Sequence, residues 1–517
     1  MAKEISLGEP QRGAEHYKDY CVVAMKRSGH HAFIEWLLSG LKEKYIFLCN
    51  LNYKDNIQRQ VIVEKLQKNL SYKTNIESIN SGIFFESLNR NDFTLIHNHE
   101  DALSEDYLYT NLIHPLNNKV IYRRNQRKIV FVRDPINLFA SVLKRYDKRI
   151  EFVELNYQTL TSIWMDHAKF FLDNKRDDVV AVSYNMWVSS ECYRSEISKL
   201  LDMENAPIPR EMSQWGGGSS FSGYAKGQIH NFNLNRWEEF KNDEMFLSFF
   251  YGEDFFDAAK KYLMKVDGDN ELVDALEALH KKANNIRNKD AILKIRDNKW
   301  NDAASALVDN KRVQAQAAKD SYSGKNYASS IEKINKSIKI DKNCAYYYFF
   351  KSIIFSKMGD YLEAENDVKK ALSLTGSSYE FKFHHSNILR KRGFVKEAFS
   401  IVDALKNDGK VISSGHLYVY AITARDANEH NKAENAFLEL VYMRPYDNKC
   451  KEEYFIFLLY SKGLIAAIKG IIVLPDDISI NNYFFYIINI FFLYMKMKLS
   501  MMKSLFISSV TPQTHQK

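Results

Sequence analysis

Residues 21–38 read CVVAMKRSGHHAFIEWLL. The run from Cys21 to Met25 is apolar and β-branched, the composition of a buried strand. It stops at a basic turn containing Gly29, and the stretch beyond is amphipathic, with Phe33, Trp36, Leu37 and Leu41 on one helical face. Strand, glycine turn and helix in that order build a phosphate loop, because backbone N–H groups at a helix start, backed by the helix dipole, attract an anion. Lys26 and Arg27 add charge, and Ser28 adds a hydroxyl donor. The Walker signature is absent, since His30 follows Gly29 and no second glycine precedes it. That signature's lysine and hydroxyl serve the β- and γ-phosphates and Mg²⁺, so their absence counts against a nucleotide kinase or NTPase, which stays as an alternative.

The alternation of strand and helix continues through about residue 250. FTLIHNH (93–99), KIVFVRD (128–134) and DVVAVSY (178–184) read as further strands. Helices are expected from Pro135 through INLFASVLKRYDK, over YQTLTSIWMDHAKFFLDN, and over SSECYRSEISKLLDM. Near-continuous apolar strands separated by helices predict a parallel sheet covered on both faces, with ligands at the C-terminal strand ends. The one glycine-dense segment, GGGSSFSGYAKG (216–227), reads as a flexible or ligand-covering loop.

Past residue 255 the strand signals stop, and a 34-residue period appears. Tyr327 and Tyr361 are 34 apart, as are Gly359 and Gly393, and Ile340 and Leu374; Ser330, Ala364 and Ala398 step by 34. Ala433 continues the small-residue position after a step of 35. GDYLEAENDVKKALSL resembles the second helix of a tetratricopeptide repeat, and NKWNDAASALV (298–308) reads as a degenerate earlier unit. Small residues let two helices pack closely, and each unit buries its face against a neighbour. The expected organisation is therefore an α/β domain over 1–255, a helical connector over 256–310, repeats over 311–450 and a hydrophobic helical segment over 451–517.

Composition sets bounds on partners. A net charge of +8 over 517 residues suits anionic ligands but is too small to argue for nucleic acid. The five cysteines are scattered with no CxxC pair, which suggests neither a zinc site nor a disulfide framework. The polar start lacks a signal-peptide core, so a cytosolic setting is the expectation. Residues 478–495 hold 18 uncharged residues, but three asparagines interrupt them, so a buried helix is expected over membrane contact.

In FVRDPINLFAS, Arg133 ends a buried strand and Ser141 lies eight residues on, in the next helix. Arginine offers a planar fork for a phosphate, and serine a hydroxyl. Read blandly, Asp134 is a helix cap and Arg133 an ion-pair partner. Together with MKRSGHHA, this segment resembles the sulfotransferase superfamily over about residues 18–240. The resemblance implies that Lys26, Arg27, Ser28, Gly29, His30 and His31 hold the 5′-phosphosulfate of 3′-phosphoadenylyl sulfate, and that Arg133 and Ser141 hold its 3′-phosphate. It further implies Tyr184, in VSYNMW, near the adenine, and Lys226 and Gly227, in GYAKG, near the 3′-phosphate. The loop departs from the family's lysine, serine, glycine, threonine, threonine, tryptophan: Arg27 takes the lysine position, His30 and His31 the threonines and Ala32 the tryptophan. Ala225 stands where the late loop usually has arginine.

The implied reaction is in-line sulfuryl transfer to a hydroxyl or amine, with carbohydrate the leading acceptor and the repeats binding acceptor or a partner protein. Arg27 would stabilise charge on the leaving nucleotide, with Lys26 sharing the task. The family's base, His or Glu, sits near a strand end facing the sulfate; His97, His99 and Glu100 are the candidates, His99 and Glu100 nearer the rim, and His30 is a fourth. Alternation puts His97 and His99 on one side of the strand and Asn98 on the other. No metal is expected. The altered loop keeps a further alternative open: a non-catalytic repeat scaffold with a decayed nucleotide domain.

Overall fold

The computed structural model describes residues 19–49, 72–74, 93–104, 114–116, 119–121, 126–148, 155–209, 235–266, 270–376, 378–411, 413–443 and 448–463. The predicted loop 216–227, with Lys226 and Gly227, and the apolar stretch 478–495 lie outside them. The chain divides into two compact units, Met1–Phe350 and Lys351–Lys517.

The first unit opens with β1 (Asp19–Ala24), α1 (His30–Gly40), β2 (Tyr45–Leu48), β3 (Tyr72–Thr74), β4 (Thr94–Glu100), the short pair β5 (His114–Leu116) and β6 (Lys119–Ile121), and β7 (Gln126–Val132). It continues through α2 (Pro135–Lys148), α3 (Tyr157–Asp173), β8 (Val179–Ser183), α4 (Tyr184–Ser189) and α5 (Glu191–Leu200). Six strands form one sheet in the order β3-β2-β4-β1-β7-β8, parallel except at β3. The four strands expected from sequence are β1, β4, β7 and β8. The sequence reading lacked β2, whose YIFL run is too short for periodicity to separate from a helix end. The single helix expected over SSECYRSEISKLLDM is instead α5, with Ser190 capping it and the separate turn α4 before it.

One face of the sheet is built by Tyr20, Val22 and Ala24 of β1, packed with Phe33, Trp36 and Leu37 of α1 and with Trp187 and Ile197. Cys21 and Val23 point to the other face. With β4 and β7 on either side of β1, the turns leaving all three strands open side by side at one sheet edge.

Helices follow: α6 (Glu244–Leu247), α7 (Glu253–Val266), α8 (Glu271–Asn284), α9 (Lys289–Arg296), α10 (Trp300–Ala306), α11 (Lys311–Ser323), α12 (Tyr327–Ile340), α13 (Ala345–Met358), α14 (Tyr361–Thr375), α15 (Tyr379–Lys391), α16 (Val395–Asn407), α17 (Ser414–Asp426), α18 (His430–Met443) and α19 (Asn448–Lys462). Their starts carry the sequence period: 311, 345 and 379 for first helices, and 327, 361 and 395 for second helices, step by 34. Ser330, Ala364, Ala398 and Ala433 are all fully buried, as close helix crossings require. Ser330 Oγ also donates to Ala318 O at 2.7 Å, tying α12 to α11. Gly359 and Gly393 end first helices with φ of +85° and +89°, where a side chain would be strained. The chain is thus an α/β domain followed by an all-α repeat domain of tetratricopeptide type.

The first helical pair belongs to the same compact unit as the sheet. Arg312 of α11 grips Asp147 of α2 with two bonds, 2.6 and 2.7 Å, and Asp243 with a third at 2.7 Å. Asn310 Nδ2 adds a bond to Glu244 at 2.6 Å.

In the second unit, His384 shares a 3.0 Å hydrogen bond with Ser352 Oγ. Burial pushes this imidazole from the ordinary 6.5 down to about 4. The unfolded chain then holds one more proton than the folded one between those pH values, so stability falls as pH drops through that window. Urea melts should show a loss of ~3 kcal/mol for this unit between pH 7 and pH 4, and His384→Asn should remove it.

Candidate functional site

The turn after β1 is held from below. Ser28 N–H donates to Met25 O at 3.2 Å, and Ala32 N–H to Gly29 O at 3.0 Å. Arg27 and Gly29 both take left-handed backbone, φ 71° and 91°. For arginine this is uncommon, and such strain gathers at functional turns. The turn after β7 lies beside it, because Arg133 Nη1 donates to Arg27 O at 3.0 Å. Trp164 Nε1 fixes the Arg133 carbonyl at 2.9 Å. Asp134 caps α2, accepting Asn137 N–H at 2.7 Å, and is clasped by Asn185, 3.1 Å in each direction. The bland reading thus holds for Asp134 as a cap, and Arg133 forms a long ion pair with it. Arg133 Nε stands 3.8 Å from it, too far for a hydrogen bond.

Arg133 and Ser141 are 3% and 1% exposed. Arg133 Nε and Nη2, and Ser141 Oγ, have no hydrogen-bond partner among the described residues. Three further guanidinium groups gather here. Burial, then the charges of Arg145, Arg133 and Arg236, pull Arg27 down to about 10. Burial and Arg133 do the same to Arg236. Arg145 and Arg236 were missed by sequence reasoning. Arg145 had a signal, lying one turn after Ser141 on the same face of α2. Arg236, in the NRWEEF turn, had none. Lys26 is turned outward, exposed and paired with Asp101 at 2.9 Å.

Tyr184 covers the turn. The Arg133 guanidinium stacks 4.7 Å from its ring centroid. A Cβ on Gly29 would stand 2.5 Å from Tyr184 Cε2, so this glycine is needed for close approach as well as for backbone. Gly29→Ala should lower stability by ~2 kcal/mol, read by thermal melts, and Tyr184→Ala added to it should recover part of the loss.

The three base candidates from β4 separate. Glu100, on the α1 face, accepts from both His30 Nε2 at 3.0 Å and His31 Nε2 at 3.1 Å. Burial alone would raise this carboxyl, but the two hydrogen bonds outweigh it and hold it well below the usual range. His30 is engaged at both nitrogens, its Nδ1 lying 3.2 Å from Ser28 Oγ and its Nε2 also 3.3 Å from Asn98. His31 Nδ1 is buried with no partner among the described residues. Burial, then His30, lowers His31 to about 4, so it is neutral at pH 7 and its Nδ1 lone pair is open. His97 and His99 take the opposite face, 2.9 Å apart, beside Cys21. Two sets of side chains have metal-ligand convergence: Cys21, His97 and His99, and His30, His31 and Glu100.

No protein-family model matches the chain, and no curated protein does. Among solved structures it is similar to yeast Tom70, at 12% identity over 71% of this chain and 83% of that one, with a TM-score of 0.29. It is similar also to a tetratricopeptide repeat protein from Parabacteroides merdae, at 12% identity over 46% and 93%, TM-score 0.31. A third is YrrB, a TPR protein with an unusual peptide-binding site, at 14% identity over 33% and 88%, TM-score 0.28. Among the described residues no helix is long and apolar enough to cross a membrane.

Proposed function

We propose that the α/β domain binds 3′-phosphoadenylyl sulfate and transfers its sulfuryl group to a hydroxyl or amine, with carbohydrate the leading acceptor. The observation that carries this reading is the pair Arg133 and Ser141 beside the Gly29 turn: Arg133 Nε and Nη2 and Ser141 Oγ are buried with no hydrogen-bond partner among the described residues. Leaving a buried donor unsatisfied costs ~1–3 kcal/mol, more when it is charged. Crowding Arg27, Arg145 and Arg236 against Arg133 adds repulsion. A ligand bearing a 3′-phosphate and a phosphosulfate relieves both. In such a transfer charge builds on the leaving oxygen, and Arg27 is the half-buried cation of the turn suited to it. The repeats, with Met358, Leu362 and Phe394 exposed, are proposed to bind acceptor or a partner protein.

The base in this reading is His31, oriented by Glu100, with Nδ1 taking the acceptor proton. His31→Gln should slow transfer ~100-fold and leave nucleotide affinity within about 3-fold. Transfer should also fade as pH falls through about 4, where the imidazole takes up its proton. Labelled sulfate donor incubated with cell extract gives both readouts.

The second reading is a non-catalytic repeat scaffold with a decayed nucleotide domain, favoured by His30, His31 and Ala32 in the turn. Calorimetry with 3′-phosphoadenosine 5′-phosphate separates the readings. Saturable binding with transfer supports the first, binding without transfer the second, and no binding sinks the first. Preference for Mg-ATP would point to a kinase.

A further inference from the structure

The histidines that the proposed chemistry does not use lie together with a thiol. Cys21 of β1 and His97 of β4 are register partners in neighbouring parallel strands. His99, two residues on, shares the face. All three are at most 2% exposed. One ligand atom from each, Sγ and two imidazole nitrogens, lies within 4.8 Å of the others.

We propose that Cys21, His97 and His99 form a zinc-binding site on the sheet face opposite α1. One thiolate and two imidazoles are a donor set that zinc takes readily, with carboxylate-preferring calcium and magnesium disfavoured. The rigid hydrogen-bonded register of β1 and β4 fixes the three donors without loop closure. Each strand is central in the sheet, so little ordering entropy remains to be lost on binding. Burial pushes the Cys21 thiol up, against the opposing charge of Lys128, its register partner on β7, so the thiolate forms only as the metal binds. On binding, the Cys21 thiol proton leaves to solvent, the proton shared by the two imidazoles moves to an outward nitrogen, and zinc accepts three lone pairs. One proton is released per ion, and a fourth tetrahedral position is left for water. Neither residue numbering nor motif spacing reveals the set, because 75 residues separate Cys21 from His97–His99 along the chain.

The site is independent of the sulfuryl-transfer reading, since none of its ligands touches the Arg133 cluster in that scheme. The test is cobalt(II) titration of the full-length protein after chelator treatment, followed by zinc. One cobalt per chain, with a thiolate-to-metal charge-transfer band in the near ultraviolet that zinc abolishes, is the expected result. Cys21→Ser should lose the band while keeping its far-ultraviolet circular dichroism, and Cys49→Ser should keep the band. His97→Asn should weaken zinc binding by at least ~10-fold, the smallest loss seen even for outer partners of metal ligands. Absence of stoichiometric cobalt binding in the wild-type protein, or a band of equal strength in Cys21→Ser, overturns the proposal.

Discussion

Arg133→Ala should weaken binding of 3′-phosphoadenosine 5′-phosphate ~100-fold. Two charge-assisted hydrogen bonds from one guanidinium are worth ~4 kcal/mol together. Against this stands compensation by Arg27 and Arg236, cations of the same cluster whose values are lowered by burial first and by neighbouring guanidinium charges second. Their attraction for the phosphate recovers ~1 kcal/mol at the dielectric of a partly wet site, leaving a net loss of ~3 kcal/mol. Arg133→Lys keeps the charge but not the planar fork, so it should recover only part. Ser141→Ala should cost ~1 kcal/mol, the worth of one neutral donor. Calorimetry at two salt concentrations checks all three. Unchanged affinity in Arg133→Ala would falsify the site, whatever activity the protein has.

Arg312→Ala should remove ~3–5 kcal/mol of stability from the first unit, a large share of a typical domain's total. The loss does not arise from the attraction alone. Asp147 and Asp243 stay where they are, and their carboxylates lose the cation that satisfied them. Burial already raises the Asp147 carboxyl, with Arg312 as the main opposing influence. Without Arg312 it rises further, so the folded state binds more protons than the unfolded chain above the ordinary carboxyl value of 3.8. Stability of the variant therefore improves as pH falls toward that value. Urea melts at pH 7 and pH 5 should show the deficit shrinking in acid. Arg312→Met combined with Asp147→Leu and Asp243→Asn should recover most of it, since a packed apolar replacement of a buried ion group is often neutral.

The sequence was legible where periodicity spans many residues. The apolar run of β1 and the face of α1 announce themselves, and Ser330, Ala364, Ala398 and Ala433 mark the repeat crossings one by one. Arg133 and Ser141 were legible because their spacing along one strand and helix is local. What pairing of distant strands decides was not legible. His97, His99 and Glu100 are near neighbours in sequence, yet alternation sends Glu100 to His30 and His31 and the other two to Cys21. Arg312 and Asp147 are 165 residues apart, and nothing in either neighbourhood marks the tie.

That tie also says where the molecule can be cut or lengthened. A chain shortened after residue 310, at the border the composition suggests, would strip Asp147 and Asp243 of their counter-charge and expose the flank of the helix that carries Ser141. A chain carried to the end of α13 at Met358 keeps Arg312 with its two carboxylates. Beyond it, each 34-residue step is a separable brick. The repeat array can then be lengthened or shortened past that point while Arg312, Asp147 and Asp243 stay together.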